Sequence, residues 1–315
     1  MSAVVRVGTA ETDDGATLSW RADGQGPVAL LCSNGIGVST FFWRRLAQHF
    51  AATHTIVTWD YRGHGQSPVP LHPEDLTVAL CARDLWCVAD AAGVERAVLL
   101  GHSMGTQVCL EGYRLHPGRV LAFIPVLGAA GRVFGKVPAA LEPLLRVATE
   151  IGISNAALAE RALRTVLRLP GVWEAVRALR IVHPDLCPRE EFEPYFAHLM
   201  SLDLRGYFAL ARDLLSHDAS ELLPEVRVPT LVVAGERDLF VPAERSRELA
   251  ARIRGAELLV LREGSHAAMV EQPELFALSI ERFLLEHGLS GGAPGGDPAP
   301  APASPAPASP APGGR

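Results

Sequence analysis

Residues 97–116 read AVLLGHSMGTQVCLEGYRLH, a succession of a strand-like run, a glycine-flanked serine and a helix-like segment. Ala97–Leu100 is a short apolar run typical of a buried strand, and Thr106–His116 has the character of a helix. The pentapeptide between them, Gly101-His102-Ser103-Met104-Gly105, is a G-x-S-x-G sequence on a strand-to-helix turn. Glycines two residues before and after Ser103 let the neighbouring segments approach closely. The sequence therefore predicts a strained serine whose hydroxyl projects above a sheet.

Short apolar runs alternate with helix-length amphipathic segments along most of the chain, which indicates an α/β sheet. Two early strands, Val4–Thr9 and Ala16–Arg21, flank the turn Asp13-Asp14-Gly15, and a second turn, Asp23-Gly24, precedes the apolar run Val28–Cys32. We expect the chain to open as antiparallel hairpins and to continue with parallel units. The later predicted elements are the helix Leu76–Ala92 and the strands Thr55–Trp59, Ala97–Leu100, Val120–Leu127, Thr230–Ala234 and Glu257–Leu261.

The chain divides into three parts by composition. Residues 1–130 and 229–290 carry the strand pattern and form the predicted α/β core. Residues 131–228 lack β-branched runs and consist of amphipathic segments broken by prolines, so we predict a helical insertion there. Residues 291–315 contain no large apolar side chain, which predicts a disordered tail rich in proline, alanine and glycine.

Composition also limits the classes of function. The 315 residues contain 29 Lys and Arg against 35 Asp and Glu, a formal net charge of −6, and so lack the positive field that attracts nucleic acid or an anionic membrane. The longest apolar stretch is too short to span a bilayer, and the first residues show neither the apolar region nor the cleavage site of a secretory signal, so we expect none. The 5 scattered cysteines are typical of reduced core thiols. We predict a cytoplasmic protein with a small-molecule substrate, no nucleic acid partner and no membrane insertion; no feature indicates an oligomeric state.

A serine nucleophile needs a general base, and the base needs a carboxylate that orients it. Both residue types follow late predicted strands. Asp238 lies in GERDLFVP (235–242), and His266 ends REGSH (262–266). Parallel strands present their C-terminal ends at one edge of a sheet, which is also the edge of Ser103. The sequence therefore predicts Ser103 as nucleophile, His266 as base and Asp238 as the orienting acid.

With these residues the chain resembles the α/β-hydrolase family, whose triad runs in the order serine, acid, histidine. The resemblance covers residues 3–288 and rests on four motifs in order: the glycine-flanked serine, DYRGHGQS (60–67), GERDLFVP, and Gly-Ser-His followed by EQPE (271–274). It implies an α/β-hydrolase fold with a mostly parallel central sheet and helices on both faces. It also implies that the insertion is a helical cap between the sixth and seventh strands.

The resemblance further implies the position of an oxyanion hole. The family usually has His-Gly after its third strand, whereas this chain has Ser33-Asn34-Gly35-Ile36-Gly37. Backbone N–H groups form such a hole, and the resemblance assigns this role to Ile36 and Met104. An apolar wall at Phe41-Phe42-Trp43 is predicted to bind the substrate; packing of these rings in the core is an equal alternative.

Other polar residues near these motifs are assigned supporting roles. His64 is expected to pack within its loop, Asp60 and Arg62 to brace that loop, and His102 to lie behind the nucleophile. The chain contains no H-E-x-x-H, P-loop or dinucleotide fingerprint, so no metal site and no cofactor are predicted.

The predicted activity is that of a serine hydrolase. It would cleave a carboxylic ester, lactone or thioester with an apolar acyl or alcohol group through an acyl-enzyme. Two alternatives stay open. The same triad could support acyl transfer, perhydrolysis or C–C bond hydrolysis, and a hydrolase-shaped binding module would use the fold without catalysis.

Overall fold

A computed structural model describes residues 4–131 and 142–291 and contains one eight-stranded sheet of order β1-β2-β4-β3-β5-β6-β7-β8. From β3 onward every pairing is parallel, whereas the pairings of β2 with β1 and β4 are antiparallel. The strands are β1 Val5–Glu11, β2 Thr17–Asp23, β3 Ala29–Ser33, β4 Thr55–Trp59, β5 Ala97–His102, β6 Val120–Val126, β7 Leu231–Gly235 and β8 Glu257–Leu261.

Only the first of the two expected hairpins forms. β1 and β2 pair antiparallel across the predicted turn, but β2 then pairs with β4 and not with β3. The prediction of a hairpin at Asp23-Gly24 is wrong, because the crossover from β3 places β4 between β2 and β3. At Gly24 and Gly26 the backbone instead passes close to the backbone of the turn that precedes β4. A Cβ on Gly26 would lie 1.8 Å from the carbonyl oxygen of Thr53, so only glycine fits there.

Helices cover both faces of the sheet, as predicted. Along β3 the side chains alternate: Leu31 packs in the cluster of α2 (Val78–Ala91) and α3 (Met104–Leu115), while Leu30 packs in the cluster of α1 (Arg44–Phe50) and α11 (Pro273–Glu286). The helices of the described residues are α1 Arg44–Phe50, α2 Val78–Ala91, α3 Met104–Leu115, α4 Glu142–Ser154, α5 Ala156–Leu167, α6 Val172–Ala178, α7 Arg189–Ser201, α8 Leu204–Leu214, α9 Ala243–Arg252, α10 Ala268–Glu271 and α11 Pro273–Glu286.

Helices α4 to α8 lie between β6 and β7, so the expected helical insertion between the sixth and seventh strands is confirmed. The insertion is anchored to the core by apolar side chains on the segment before α7: Val182 and Cys187 are buried in one cluster with Ala267 and Ala268. The first residues of the predicted cap, 132–141, and residues 292–315 of the predicted tail lie outside the described residues. Within 4–131 and 142–291 no helix has the length and apolarity to cross a membrane.

Candidate active site

Ser103 lies on a strained turn between β5 and α3, with φ 54° and ψ −117°. Positive φ is rare for a residue with a side chain and is found at tight turns that carry function. Both flanking glycines are required by packing. A Cβ on Gly101 would lie 2.3 Å from the carbonyl oxygen of Gly105, and a Cβ on Gly105 would lie 2.3 Å from that of Ser33. The backbone can therefore hold the serine hydroxyl at the end of the sheet only with these two glycines.

A continuous set of hydrogen bonds joins the three predicted triad residues. The Oγ of Ser103 is 2.9 Å from Nε2 of His266, and Nδ1 of His266 is 2.7 Å from Oδ2 of Asp238. The other carboxylate oxygen of Asp238 accepts the N–H groups of Phe240 and Val241, both at 2.8 Å. Since the carboxylate accepts the Nδ1 proton, the lone pair of Nε2 faces the serine hydroxyl. This geometry can take up the hydroxyl proton as Ser103 attacks.

The predicted oxyanion loop is held by the side chain of Asn34, which points into the core. Its Nδ2 donates to the carbonyl of Trp59 at 2.6 Å, and its Oδ1 accepts the indole N–H of Trp43 at 2.8 Å. Asparagine therefore has a structural task at the position where the family usually has histidine. Among the described residues, the N–H groups of Ile36 and Met104 donate to no protein acceptor, so both can donate to a substrate oxygen.

His64 braces this loop from the side. Its Nε2 accepts the N–H of Gly37 at 3.2 Å, while Nδ1 donates to the carbonyl of Arg62 at 3.2 Å. Burial lowers the pKa of His64 to about 4, so the ring is neutral and can accept at Nε2. Within the loop of His64, Asp60 accepts the N–H of Gln66 at 3.0 Å, and it also accepts the hydroxyl of Ser39 at 2.6 Å. Burial raises the pKa of Asp60.

Arg62 anchors the same loop to the rest of the core. Its guanidinium pairs with the buried Asp84 at 2.7 Å and with Asp14 at 2.6 Å. The hydrogen bonds of Arg62 hold the pKa of Asp14 well below its ordinary value. Asp60 and Arg62 thus act within the scaffold, which matches their predicted bracing role.

The three aromatic residues of the predicted substrate wall have different environments. Trp43 is completely buried and bound to Asn34, so it packs in the core, the alternative that the sequence left open. Phe42 is buried, with its ring 5.2 Å from that of His102. Phe41 keeps accessible surface and contacts the ring of His198 on α7 at 6.0 Å. Of the three rings, only that of Phe41 is partly exposed.

His102 lies behind the candidate base. Its Nε2 is 3.1 Å from the carbonyl oxygen of His266, and the two rings are 5.0 Å apart. Burial lowers the pKa of His102 to about 3, so the imidazole is neutral and donates from Nε2 to that carbonyl. His102 thus supports the backbone of His266, while the hydrogen bond of the Ser103 hydroxyl goes to His266.

Two residues near His266 were not predicted from the sequence to belong to the site. Phe240 is half-exposed, and its ring lies 5.2 Å from that of His266. The N–H groups of Phe240 and Val241 donate to Asp238, which turns the loop and places the Phe240 ring beside His266. The spacing of these residues in GERDLFVP could have indicated this position. Glu271 is buried and binds the backbone beside His266, a contact that no local pattern in EQPE reveals. In the part of the chain that the structure describes, no group of three His, Cys, Asp or Glu side chains could hold a metal ion.

A mostly parallel sheet, a helical insertion after the sixth strand and an elbow serine facing a histidine and an acid define the class of α/β hydrolases. A family model described as the alpha/beta hydrolase family matches residues 30–278. The chain belongs to this family and is a hydrolase.

Individual relatives agree with this classification. The chain is 30% identical over 250 residues to RutD of Escherichia coli O7:K1 (strain IAI39 / ExPEC), provisionally named a carbamate hydrolase, with 79% of this chain and 88% of RutD covered. A solved hydrolase from Pseudomonas aeruginosa PA01 is 28% identical, with a TM-score of 0.68, and covers 89% of this chain and 98% of its own. Est816, described as an N-acyl homoserine lactone degrading enzyme, is 26% identical, with a TM-score of 0.69, over 88% of this chain and 100% of its own.

Proposed function

We propose that the protein is a serine hydrolase that cleaves a carboxylic ester, lactone or thioester through an acyl-enzyme. The observation that carries the proposal is the unbroken set of hydrogen bonds from Ser103 Oγ through His266 to Asp238. A serine hydroxyl is a poor nucleophile until a base removes its proton, and an oriented imidazole at 2.9 Å meets that need.

The proposed reaction has two half-reactions. Ser103 Oγ attacks the carbonyl carbon while His266 Nε2 takes the hydroxyl proton, and Asp238 stabilises the resulting imidazolium. The N–H groups of Ile36 and Met104 donate to the tetrahedral oxyanion. Collapse of this intermediate breaks the bond to the leaving group, which receives the proton from His266. Water then attacks the acyl-enzyme with His266 again as base, and release of the acid restores Ser103.

The surroundings of the site favour a substrate with an apolar acyl or alcohol group. The ring of Phe240 lies beside that of His266, the ring of Phe41 lies beside that of His198 in the cap, and the cap lies against the oxyanion loop. A Cβ on Gly37 would lie 3.0 Å from the ring of Tyr207 and 3.6 Å from Leu199. Apolar side chains line most small-molecule sites, with a few polar groups to fix orientation.

The names of two relatives suggest further members of the substrate panel. RutD is provisionally named a carbamate hydrolase, and Est816 is described as degrading an N-acyl homoserine lactone. Carbamates and lactones contain the same electrophilic carbonyl as esters, so the proposed acylation applies to them. We also infer that the protein acts in the cytoplasm, because all five cysteines are free.

A turnover screen tests the proposal. Purified protein is assayed on p-nitrophenyl esters of increasing chain length, a lactone, a thioester and a carbamate, beside the Ser103→Ala variant. We expect Ser103→Ala to lose at least about 10³-fold in kcat, with Ser279→Ala on α11 as the matched control that keeps activity. A fluorophosphonate probe should label the wild type at Ser103 stoichiometrically. Full esterase activity in Ser103→Ala would contradict the proposal.

The same assay separates hydrolysis from acyl transfer. An acyltransferase would divert its acyl-enzyme to an added alcohol or amine, whereas a hydrolase releases the free acid under both conditions. We expect turnover to rise with acyl chain length before steric limits are reached. Equal rates across the chain-length series would contradict an apolar pocket.

A further inference from the structure

Glu271 is a carboxylate buried beside the candidate base, with 6% of its surface exposed. Its Oε2 accepts the N–H of Ser265 at 2.9 Å, and its Oε1 accepts the hydroxyl of Ser265 at 2.5 Å and the N–H of His183 at 2.6 Å. In residues 4–131 and 142–291 no cationic side chain forms an ion pair with it. A buried charge is costly unless hydrogen bonds compensate it, so these three donors account for its stability in the core.

Two of these bonds fix the backbone on one side of His266, and a further bond fixes the other side. Ser265 precedes His266 and is held by Glu271 through both its N–H and its hydroxyl. The same hydroxyl oxygen accepts the N–H of Ala267 at 3.0 Å. The peptide groups around His266 are therefore organised by a single Ser265–Glu271 pair.

The third bond comes from the cap. His183 lies on the segment between α6 and α7, and its ring Nδ1 accepts the N–H groups of Asp185 and Leu186 at 3.1 Å. This local turn presents the backbone N–H of His183 to Glu271. Val182 and Cys187 flank this bond and belong to the same buried cluster as Ala267 and Ala268, so segment 181–187 docks on the part of the core that carries His266.

We infer that Glu271 is a positioning residue for His266 and that it ties the position of the base to the docking of cap segment 181–187. The inference rests on the proposed function, since it concerns the histidine assigned there as general base. A carboxylate is needed because it accepts all three donors at once. Glutamine has one acceptor oxygen and one donor amide, so Glu271→Gln must lose at least one of the three bonds.

The kinetic test compares Glu271→Gln and Ser265→Ala with the controls Glu274→Gln and Ser279→Ala, which change polar residues on the neighbouring helix α11. We expect kcat on the best p-nitrophenyl ester to fall about 10- to 100-fold in both test variants, with KM within a few-fold, because misplacement of a reacting group is that costly. Fluorophosphonate labelling of Ser103 should slow in parallel, while both controls match the wild type.

Amide hydrogen exchange tests the link to the cap. Glu271→Met, which removes all three acceptor contacts, should exchange faster than the wild type in both segments, 181–187 and 264–267, whereas Ser265→Ala should do so only in 264–267. If Glu271→Gln does not fold, Ser265→Ala still tests the kinetic half of the inference. A variant that loses thermal stability but keeps kcat and labelling rate has lost a merely structural contact, and that result overturns the inference. Activity that survives in Ser103→Ala contradicts the proposed function instead, so the two failures are distinguishable.

Discussion

The N–H of Gly37 donates to Nε2 of His64, so a side chain from the loop after β4 holds the loop that follows β3. Gly37 has φ +71°, a conformation that favours glycine, and it directly follows Ile36, a proposed oxyanion donor. The direction of the Ile36 N–H therefore depends on a turn that His64 stabilises. A histidine with a pKa near 4 is suited to this task, because it remains a neutral acceptor at all moderate pH values.

Replacing His64 should slow the chemical step. In His64→Leu the Gly37 N–H loses its acceptor, and we expect kcat to fall about 10-fold, less than the 10²- to 10³-fold typical when an oxyanion donor itself is removed. His64→Gln offers an amide oxygen and should recover much of the rate. Steady-state kinetics on one ester provide the measurement. Equal kcat in His64→Leu and wild type would show that the loop needs no such support.

Replacing Asp238 should have a larger effect. Asp238→Asn can place an amide N–H toward His266 Nδ1, which favours the tautomer with its proton on Nε2 and leaves no base for Ser103. We expect kcat to fall by about 10⁴ with the fold preserved. Glu244→Gln, an exposed change in the first turn of α9, serves as the control. A loss below 10-fold would mean that Asp238 does not orient the base.

The elbow glycines should be intolerant of a methyl group. Gly105→Ala places a Cβ 2.3 Å from the carbonyl oxygen of Ser33, so the first turn of α3 would clash with the backbone at the end of β3. We expect the free energy of unfolding to fall by about 2–4 kcal/mol, as for severe overpacking, or the variant to fail to fold. Gly118→Ala is the matched control, since its Cβ would meet no atom within 4 Å. Denaturant titration that finds the two variants equally stable would contradict this account.

Buried histidines should make stability depend on pH. Burial lowers the pKa of His102 to about 3 from the ordinary 6.5, so between these values the unfolded chain binds a proton that the folded chain does not. The contribution of His102 to the free energy of unfolding is therefore fully present above about pH 6.5, and it is lost as the pH falls toward 3. From pH 7.5 to 5.0 the loss from this one residue is about 2 kcal/mol.

Denaturant unfolding at these two pH values measures the effect. His64 and His198, whose pKa values burial lowers to about 4, contribute in the same direction. Burial raises the pKa of Asp60 and Asp84, which makes the free energy of unfolding change with pH in the opposite direction. The contribution of His102 is therefore isolated by comparing the wild type with His102→Gln. Glutamine keeps a donor for the His266 carbonyl but does not titrate, and its pH dependence should be shallower. Identical slopes in the two proteins would contradict the assigned origin.

Local sequence patterns predicted the strands well. β4 and β8 have the predicted bounds, and β5 and α3 extend toward Ser103 by two residues each beyond them. Apolar period and glycine placement are properties of a short segment, so they can be read without knowing what the segment packs against. The pairing of β2 with β4 was not predictable in this way, because β3 and β4 are both short and mostly apolar runs.

The sequence by itself determined the family, the elbow at Ser103 and the order in which Asp238 and His266 follow it, since turns and strand ends are encoded locally. Only the tertiary structure decided which side chains support those groups. Trp43 and Asn34 bind each other in the core, His64 accepts from Gly37, and Glu271 joins Ser265 to His183 of the cap. The bonds of His64 to Gly37 and of Glu271 to His183 join segments that are distant along the chain, and the directions of all these side chains depend on how the crossovers and the cap pack. Local sequence periodicity therefore does not predict that packing.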